Sequence, residues 1–174
     1  MEEKIQVLFS EKMIDERIRK LGKQISEEYA GKEIKLICVL RGGSVFFCEL
    51  AKRITVPVTF DFISVSSYGN GTESGSQIRI RKDLDEPIDG QHVIVVEDII
   101  DTGKTLTKLM ELLRQRGAKS LRLAALLDKK ERRQAAIEAD YTGFQIDDGF
   151  VVGYGLDYAQ KYRNLPYIGI VQLS

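Results

Sequence analysis

Three short, almost wholly apolar runs constrain the fold of this chain more than any other feature. They occupy residues 34–40, 93–96 and 121–127, and each is followed by polar residues and then by a helical pattern. Continuous apolar runs of this length are typical of strands buried on both faces, and strands that alternate with helices form parallel sheets. We therefore predict an α/β fold with a mostly parallel, twisted sheet and helices on both of its faces.

The other elements follow from the spacing of apolar residues and from the positions of glycine and proline. Ser10 is the expected N-cap of a first helix that Gly31 closes. Further helices are predicted at 44–54, between 103 and 117, and at 130–139, and shorter strands at 58–67, 78–81, 144–146, 150–154 and 167–171. The length of 174 residues suggests a single domain covering 1–174.

The composition excludes several kinds of function. The 26 Lys and Arg residues equal the 26 Asp and Glu residues, so the chain lacks the basic footprint of a general nucleic-acid-binding protein. One His and two Cys cannot build a usual four-ligand Cys/His zinc site. No secretion signal or membrane-length apolar run is visible. We therefore expect a cytoplasmic protein without a membrane partner, in which Cys38 and Cys48 are buried, reduced thiols.

The segment 93–106 carries the most chemical information. Its apolar strand ends in Glu97 and Asp98, and the sequence Asp-Thr-Gly-Lys-Thr at 101–105 then opens a helix. Free backbone N–H groups at a helix start, beside a glycine that lets an anion approach, form a phosphate-binding loop. The two acids can hold a sugar diol, directly or through a hard metal ion. The plainer alternative is that these residues only cap the helix, whereas a P-loop is excluded because Asp98 occupies the position of its first glycine.

The same segment resembles the phosphoribosyl pyrophosphate (PRPP) binding motif of type I phosphoribosyltransferases. Its Glu-Asp-Ile-Ile-Asp-Thr-Gly form resembles the hypoxanthine-guanine branch of that family. Four further segments, at 40–43, 66–69, 128–129 and 150–163, are similar to the same branch in order and spacing. The resemblance therefore covers most of the chain between residues 40 and 163.

The family resemblance implies an architecture and a reaction. It implies a core at about 34–140 and a small purine-binding hood built from 141–174 together with the N-terminus. The implied reaction is Mg²⁺-dependent purine salvage, in which hypoxanthine or guanine displaces pyrophosphate from PRPP and yields IMP or GMP. The transition state is expected to resemble an oxocarbenium ion, and the enzyme is expected to be a homodimer or homotetramer.

The resemblance also assigns the residues that would hold PRPP. Asp101 matches the general base that takes the purine proton, and Glu97 and Asp98 match the pair that binds the ribose hydroxyls or Mg²⁺. The matching 5′-phosphate loop consists of Thr102, Gly103, Lys104 and Thr105. Lys104 is expected to contribute its backbone rather than its side chain.

Later residues match the purine site of the family. Lys129 matches a lysine that donates to the exocyclic oxygen, which favours a 6-oxopurine because an ammonium group cannot accept a bond from a 6-amino group. Phe150 is expected to stack on the ring, and Val151 to bind its edge through the backbone. Ile99 and Asp157 are expected to border the purine, and Asp157 also matches a second Mg²⁺ ligand.

The remaining matches concern pyrophosphate. Arg41 and Gly42 resemble the loop whose backbone, often in cis geometry, binds the leaving group, although many family members carry Lys at position 41. Arg163 is a further expected contact. Ser67 and Tyr68 are expected to reach pyrophosphate from a mobile lid at 66–76 that closes over the reacting centre.

Two alternatives stay open at the level of sequence. A regulator that has this fold and binds both PRPP and nucleic acid would need a basic face or an added domain, and the neutral 174-residue chain shows neither. A related enzyme that acts on xanthine or on a pyrimidine is the other alternative. Lys129 and Phe150 argue against a pyrimidine but not against xanthine.

Overall fold

A six-stranded sheet, a three-stranded sheet and three α-helices make up the computed structural model, which describes residues 3–68 and 77–173. In chain order the elements are β1 (Glu3–Phe9), α1 (Glu11–Glu28), β2 (Ile34–Val39), α2 (Ser44–Ala51), β3 (Val58–Tyr68), β4 (Gln77–Lys82), β5 (His92–Ile100), α3 (Lys104–Gln115), β6 (Ser120–Asp128), a 3₁₀ turn (Lys130–Arg132), β7 (Tyr141–Gln145), β8 (Val151–Val152) and β9 (Ile168–Leu173).

The larger sheet has the strand order β4-β3-β2-β5-β6-β7. All of its neighbouring strands run parallel except β3 and β4, which form an antiparallel hairpin arm. One apolar core lies between this sheet and the helices α1 and α2, and a second lies between the opposite face and α3. The predicted α/β fold with helices on both faces is therefore confirmed.

The first helix forms where the apolar spacing predicts it. The Ser10 hydroxyl accepts a hydrogen bond from the backbone N–H of Met13 at 3.3 Å, which satisfies a donor at the start of the helix. The buried stripe of α1 repeats every three to four residues and packs on the sheet. It consists of Ile14, Ile18, Leu21, Gly22 and Ile25.

Two predicted boundaries differ from the structure near the sheet's carboxyl edge. The strand predicted at 93–96 continues to Ile100, so that Glu97 and Asp98 are strand residues, and Glu97 pairs with Ala125 of β6. The helix predicted at 130–139 is wrong, because only the short turn Lys130–Arg132 is helical. Arg133 explains the difference: its guanidinium binds the Asp128 carboxylate and the backbone carbonyls of Asp101 and Ile137, which holds this segment against the sheet edge in an irregular conformation.

The smaller sheet has the order β1-β9-β8 and is wholly antiparallel. It joins the two ends of the chain, and β1 was not predicted from the sequence. The strand β7, which the sequence places within the hood, instead forms the edge of the larger sheet through parallel pairing with β6. The C-terminal strands of the smaller sheet therefore begin at Val151, later than residue 141, where the predicted hood begins, and the division into core and hood stays a prediction.

The two cysteines differ in environment. Cys38 is buried in the centre of β2, and burial raises the pKa of its thiol to about 12. Cys48 lies on an exposed side of α2, so the prediction of two buried thiols is wrong for this residue. Among the helices in the described parts of the chain, none combines the length and the hydropathy that a membrane crossing requires.

Candidate active site

Most of the predicted site residues lie at the carboxyl edge of the larger sheet. A cavity of about 530 Å³ opens there, beyond the ends of β5 and β6. Seven predicted residues line it: Asp98, Ile99, Asp101, Lys129, Phe150, Val151 and Asp157. A smaller cavity of about 180 Å³ shares Ile99 and Asp101 with the first and is also lined by Glu97, Thr102, Gly103 and Thr105. Ligands of open parallel sheets bind at this edge.

The turn after β2 closely approaches the acidic pair at the end of β5. The peptide bond between Leu40 and Arg41 is cis. A Cβ atom on Gly42 would lie only 1.8 Å from the Asp98 Oδ2 atom, and a Cβ atom on Gly155 would lie 2.1 Å from the Gly42 carbonyl oxygen. Glycine at both positions therefore permits these close approaches, and the turn lies between the Asp98 carboxylate and the loop that contains Gly155.

Glu97 and Asp98 are adjacent carboxyl groups in a poorly hydrated environment. The Asp98 N–H donates to Glu97 Oε1 at 3.1 Å, and the Ile99 N–H donates to Asp98 Oδ1 at 2.8 Å. Loss of hydration, and then the neighbouring Asp98, raise the pKa of Glu97 well above its usual range, and loss of hydration also raises the pKa of Asp98. Two such groups resist carrying two negative charges unless a cation joins them.

The loop after β5 leads into the amino end of α3. Gly103 has a φ of +79° and is the N-cap of α3, and no side chain in the described part of the chain caps this end. The first backbone N–H groups of the helix are therefore available to an anion. Thr102 and Thr105 line the small cavity at this point, whereas the Lys104 side chain is exposed, and its backbone role stays a prediction.

Asp101 is held by a cation that the sequence did not single out. Its Oδ1 atom accepts a hydrogen bond from Arg132 Nε at 2.7 Å, and this bond raises the pKa of the Arg132 guanidinium. The Arg132 Nη1 atom lies 3.4 Å from both oxygens of Asp148. Arg132 and Asp148 both line the larger cavity, so the predicted general base sits in a network of alternating charges.

Lys129 and Phe150 form the opposite part of the cavity wall. The Lys129 side chain is buried, and its Nζ atom donates to the Gly149 carbonyl at 2.6 Å and lies 3.7 Å from Asp148 Oδ1. Phe150 is 53% exposed and packs edge-on against Tyr158, with ring centroids 5.3 Å apart. An aromatic ring left this open at a cavity is available for stacking, which argues against a purely structural role in the core.

Arg41 and Arg163 approach each other through one glutamine. The Gln160 Oε1 atom lies 3.2 Å from Arg41 Nη1 and 3.2 Å from Arg163 Nη2. Arg163 also binds the Gly155 carbonyl at 2.6 Å and Asp157 Oδ1 at 2.9 Å. Gln160 has a φ of +68°, a conformation that is uncommon for a residue other than glycine and that often marks functional loops.

The predicted lid is described only at its base. Ser66, Ser67 and Tyr68 belong to β3 and pair with β4, and Arg81 Nε donates to Ser66 Oγ at 3.2 Å. Ser67 is exposed. Residues 69–76 lie outside the described residues, so the lid and the pyrophosphate contacts of Ser67 and Tyr68 stay predictions.

The predicted metal ligands have different surroundings. In the described part of the chain, no group of three or more His, Cys, Asp or Glu side chains is arranged to hold a metal ion. Both Asp157 oxygens are engaged, one by Arg163 and the other by the Gln160 N–H at 2.8 Å. Glu97 and Asp98 supply the hard carboxylate oxygens that Mg²⁺ prefers, and a cation would relieve their raised pKa values, so this pair fits the ion.

Three site residues were missed by reasoning from sequence: Arg132, Asp148 and Gln160. Arg132 lies in the charged run 129–133 that directly follows β6, and it falls within the short helix predicted at 130–139. Its position at the carboxyl end of a central strand was the available signal. For Asp148 and Gln160 the sequence offers no comparable signal, because their partners lie elsewhere along the chain.

Known proteins resemble this chain over nearly its whole length. Residues 9–159 match the phosphoribosyl transferase domain family. The chain is 48% identical over 166 residues to the hypoxanthine-guanine phosphoribosyltransferase of Bacillus subtilis, covering 95% of this chain and 92% of that protein. A crystal structure of a Bacillus anthracis hypoxanthine-guanine phosphoribosyltransferase superposes with a TM-score of 0.92 at 45% identity, covering 98% of this chain and 100% of the other.

Some relatives are much longer than this chain. The bifunctional protein TilS/HprT of Listeria innocua is 51% identical over 166 residues, which are 95% of this chain. The chain spans only 26% of the length of that relative.

Proposed function

The chain belongs to the hypoxanthine-guanine phosphoribosyltransferase family, and we propose that it transfers the phosphoribosyl group of PRPP to hypoxanthine or guanine. The bond between carbon 1 of the ribose and the pyrophosphate oxygen breaks, and a bond from carbon 1 to the purine nitrogen forms. The products are IMP or GMP and pyrophosphate. The observation that carries this proposal is one cavity lined by Phe150, Lys129 and Asp101, of which Asp101 begins the loop before α3.

The purine would be recognised by groups on one wall of this cavity. The open face of Phe150 offers a stacking surface worth about 1–3 kcal/mol per base. Lys129 carries three donors, of which Gly149 takes one, so a donor remains for the exocyclic oxygen of a 6-oxopurine. An adenine amino group would face the ammonium without an acceptor, and this mismatch disfavours adenine.

Asp101 would take the proton that the purine loses. It lines both the larger cavity and the small cavity before α3, so it would lie between the proposed purine and phosphate sites. Its ion pair with Arg132 orients the carboxylate in the absence of substrate. A positioned carboxylate of this kind contributes about 10²–10⁴ to a rate.

The phosphates would be bound by backbone and by arginine. The amino end of α3, with Thr102 and Thr105, suits the 5′-phosphate, and the Arg41–Gly42 turn with Arg163 suits pyrophosphate. Mg²⁺, held by Glu97 and Asp98, would neutralise charge on the departing pyrophosphate. Asp157 is proposed as a further ligand once it leaves Arg163. The cytoplasmic location and the homodimeric or homotetrameric assembly stay predictions.

A direct assay tests the proposed reaction. The protein is mixed with PRPP, Mg²⁺ and one nucleobase at a time, namely hypoxanthine, guanine, xanthine, adenine or uracil, and nucleotide formation is followed. We expect product with hypoxanthine or guanine and little with adenine or uracil. Xanthine shares the 6-oxo group, so the amount of product that it gives, compared with hypoxanthine and guanine, tests the remaining alternative of an enzyme that acts on xanthine. Absence of product with both hypoxanthine and guanine would overturn the proposal.

A further inference from the structure

Another sizeable cavity lies at the opposite edge of the larger sheet from the candidate active site. Its volume is about 560 Å³, and Lys35, Thr59 and His92 contribute to its wall. These residues stand near the amino ends of β2, β3 and β5, which are in register there. The active-site residues follow the carboxyl ends of the same strands, about 20 Å away along a strand of six residues. The two cavities are therefore separate.

Lys35 is the residue of this cavity that needs an explanation. It is only 7% exposed, and its ammonium group makes no hydrogen bond or ion pair within residues 3–68 and 77–173. The stem of the side chain is buried, whereas its ammonium group reaches the open space of the cavity, since Arg53 Nε is the one fully buried side-chain nitrogen or oxygen without a partner in the described part of the chain. Lys35 thus directs unused donors into a cavity large enough for a small molecule, where a bound acceptor can take the place of water.

The charges around the cavity favour an anion. Lys32 and Lys119 also line it, and in the described part of the chain neither forms an ion pair. Glu33 and Glu86 belong to the wall as well, but both are exposed and neither pairs with any of these lysines. Burial, and then Lys119 and Lys32, lower the pKa of His92, as expected beside a concentration of positive charge.

The wall of the cavity is fixed by hydrogen bonds to the rest of the fold. The buried carboxylate of Asp61 accepts from the backbone N–H groups of Asp85 at 3.1 Å and Glu86 at 3.3 Å. The Gly90 N–H donates to the Gly117 carbonyl at 2.9 Å. The cavity is therefore formed before any ligand binds, which lowers the entropic cost of binding.

We propose that this cavity is a second ligand site, which binds a small phosphate-bearing anion with Lys35 at its floor and Lys32 and Lys119 at its sides. Lysine binds phosphate as a compact charge with several donors, and three lysines without carboxylate partners suit a dianion. The site is independent of the proposed catalytic reaction, because it shares no residue with the cavities at the carboxyl edge.

The test uses the variant Lys35→Met, which keeps the length of the side chain at the floor of the site and removes its charge. Inorganic phosphate is titrated while backbone amide shifts are followed by NMR. In the unmodified chain two groups should respond, one at 102–105 and one at 31–35 and 117–120. Lys35→Met should weaken binding at the second group by about tenfold or more and leave the first unchanged. Lys20→Met, which removes an exposed charge on α1, is the control for net charge and should alter neither.

Two comparisons decide the proposal. If the second group does not respond in the unmodified chain, or responds equally in Lys35→Met, the site does not exist. A parallel titration with a nucleoside diphosphate separates the sources of the anion: tighter binding at the second group assigns a phosphorylated metabolite, and equal binding assigns free phosphate.

Discussion

Gly42→Ala should be far more damaging than an added methyl group suggests. The new Cβ would lie 1.8 Å from Asp98 Oδ2 and 2.6 Å from Asp98 Cγ, well inside the 3.4 Å at which ordinary contacts begin. Gly42 does not have a positive φ, so the substitution acts through this clash rather than through backbone strain. Asp98 cannot move freely, because its Oδ1 atom is held by the Ile99 N–H at 2.8 Å.

Overpacking of this kind costs about 1–3 kcal/mol in the free energy of unfolding. For a chain of this size the loss corresponds to a fall of about 2–12 °C in melting temperature, so the variant stays folded. Displacement of Asp98 should lower kcat/KM for PRPP as well. Gly149→Ala is the matched control, because its Cβ would meet only Ile170 Cδ1 at 3.9 Å. The control should keep its stability or gain up to about 1 kcal/mol.

A double-mutant cycle identifies the clashing partner. The free energy of unfolding is measured in urea for the unmodified chain, Gly42→Ala, Asp98→Ala and the double variant. If the Asp98 carboxylate causes the loss, Gly42→Ala should cost little in the Asp98→Ala background, with an interaction energy of about 1–3 kcal/mol. An equal cost in both backgrounds would refute this reasoning.

Three further predictions concern the proton, the purine and pH. Asp101→Asn should lower kcat by about 10²–10⁴ and change the Kd for PRPP little, as steady-state kinetics and equilibrium binding will show; equal losses in both would contradict a general-base role. Lys129→Met should lower kcat/KM for hypoxanthine by about 10–150-fold and reduce the preference over adenine, because a charged donor is lost, and an unchanged preference would count against that role. The Arg116 guanidinium, which binds both Asp83 oxygens at 2.6 and 2.9 Å, lowers the pKa of Asp83 below its usual 3.8. This pair stabilises the fold above pH 3.8, and its contribution is lost as the pH falls through the lowered pKa. Arg116→Gln should therefore lower the free energy of unfolding by up to about 1 kcal/mol at pH 7 and progressively less in acid, and a pH-independent difference in urea titrations would contradict the assignment.

The parts of the fold that could be predicted are those that local patterns determine. The strands β2, β5 and β6 are buried on both faces, so their apolar runs are continuous, and the stripes of α1 and α3 follow the helical period. The segment after Lys129 could not be predicted, because the contacts of Arg133 with Asp128 and Asp101 hold this segment in a conformation that is not helical. Its conformation is set by distant partners, which a local pattern does not reveal.

The same distinction holds within the site. The sequence indicated the acidic pair and the proposed phosphate loop, since their chemistry is contained in one continuous segment. The network around Asp101 was not visible, because Arg132 is 31 positions away and Asp148 further still. The close approach of Gly42 to Asp98 was equally hidden, since it depends on the order in which β2 and β5 lie side by side.

The charges of the site reconcile a neutral chain with a polyanionic substrate. In the structure Arg132 is paired with Asp101, and both side chains are nearly half exposed, at 46% and 44%. Such a pair contributes only about 0–1 kcal/mol, whereas a charge-assisted bond to a buried or phosphate partner is worth about 1.5–3 kcal/mol. Exchanging the carboxylate for a substrate anion would therefore be favourable, and it would free Asp101 to accept a proton. Equal numbers of acids and bases consequently do not argue against PRPP: the acids keep the cations oriented at the cavity without holding them too tightly to be released.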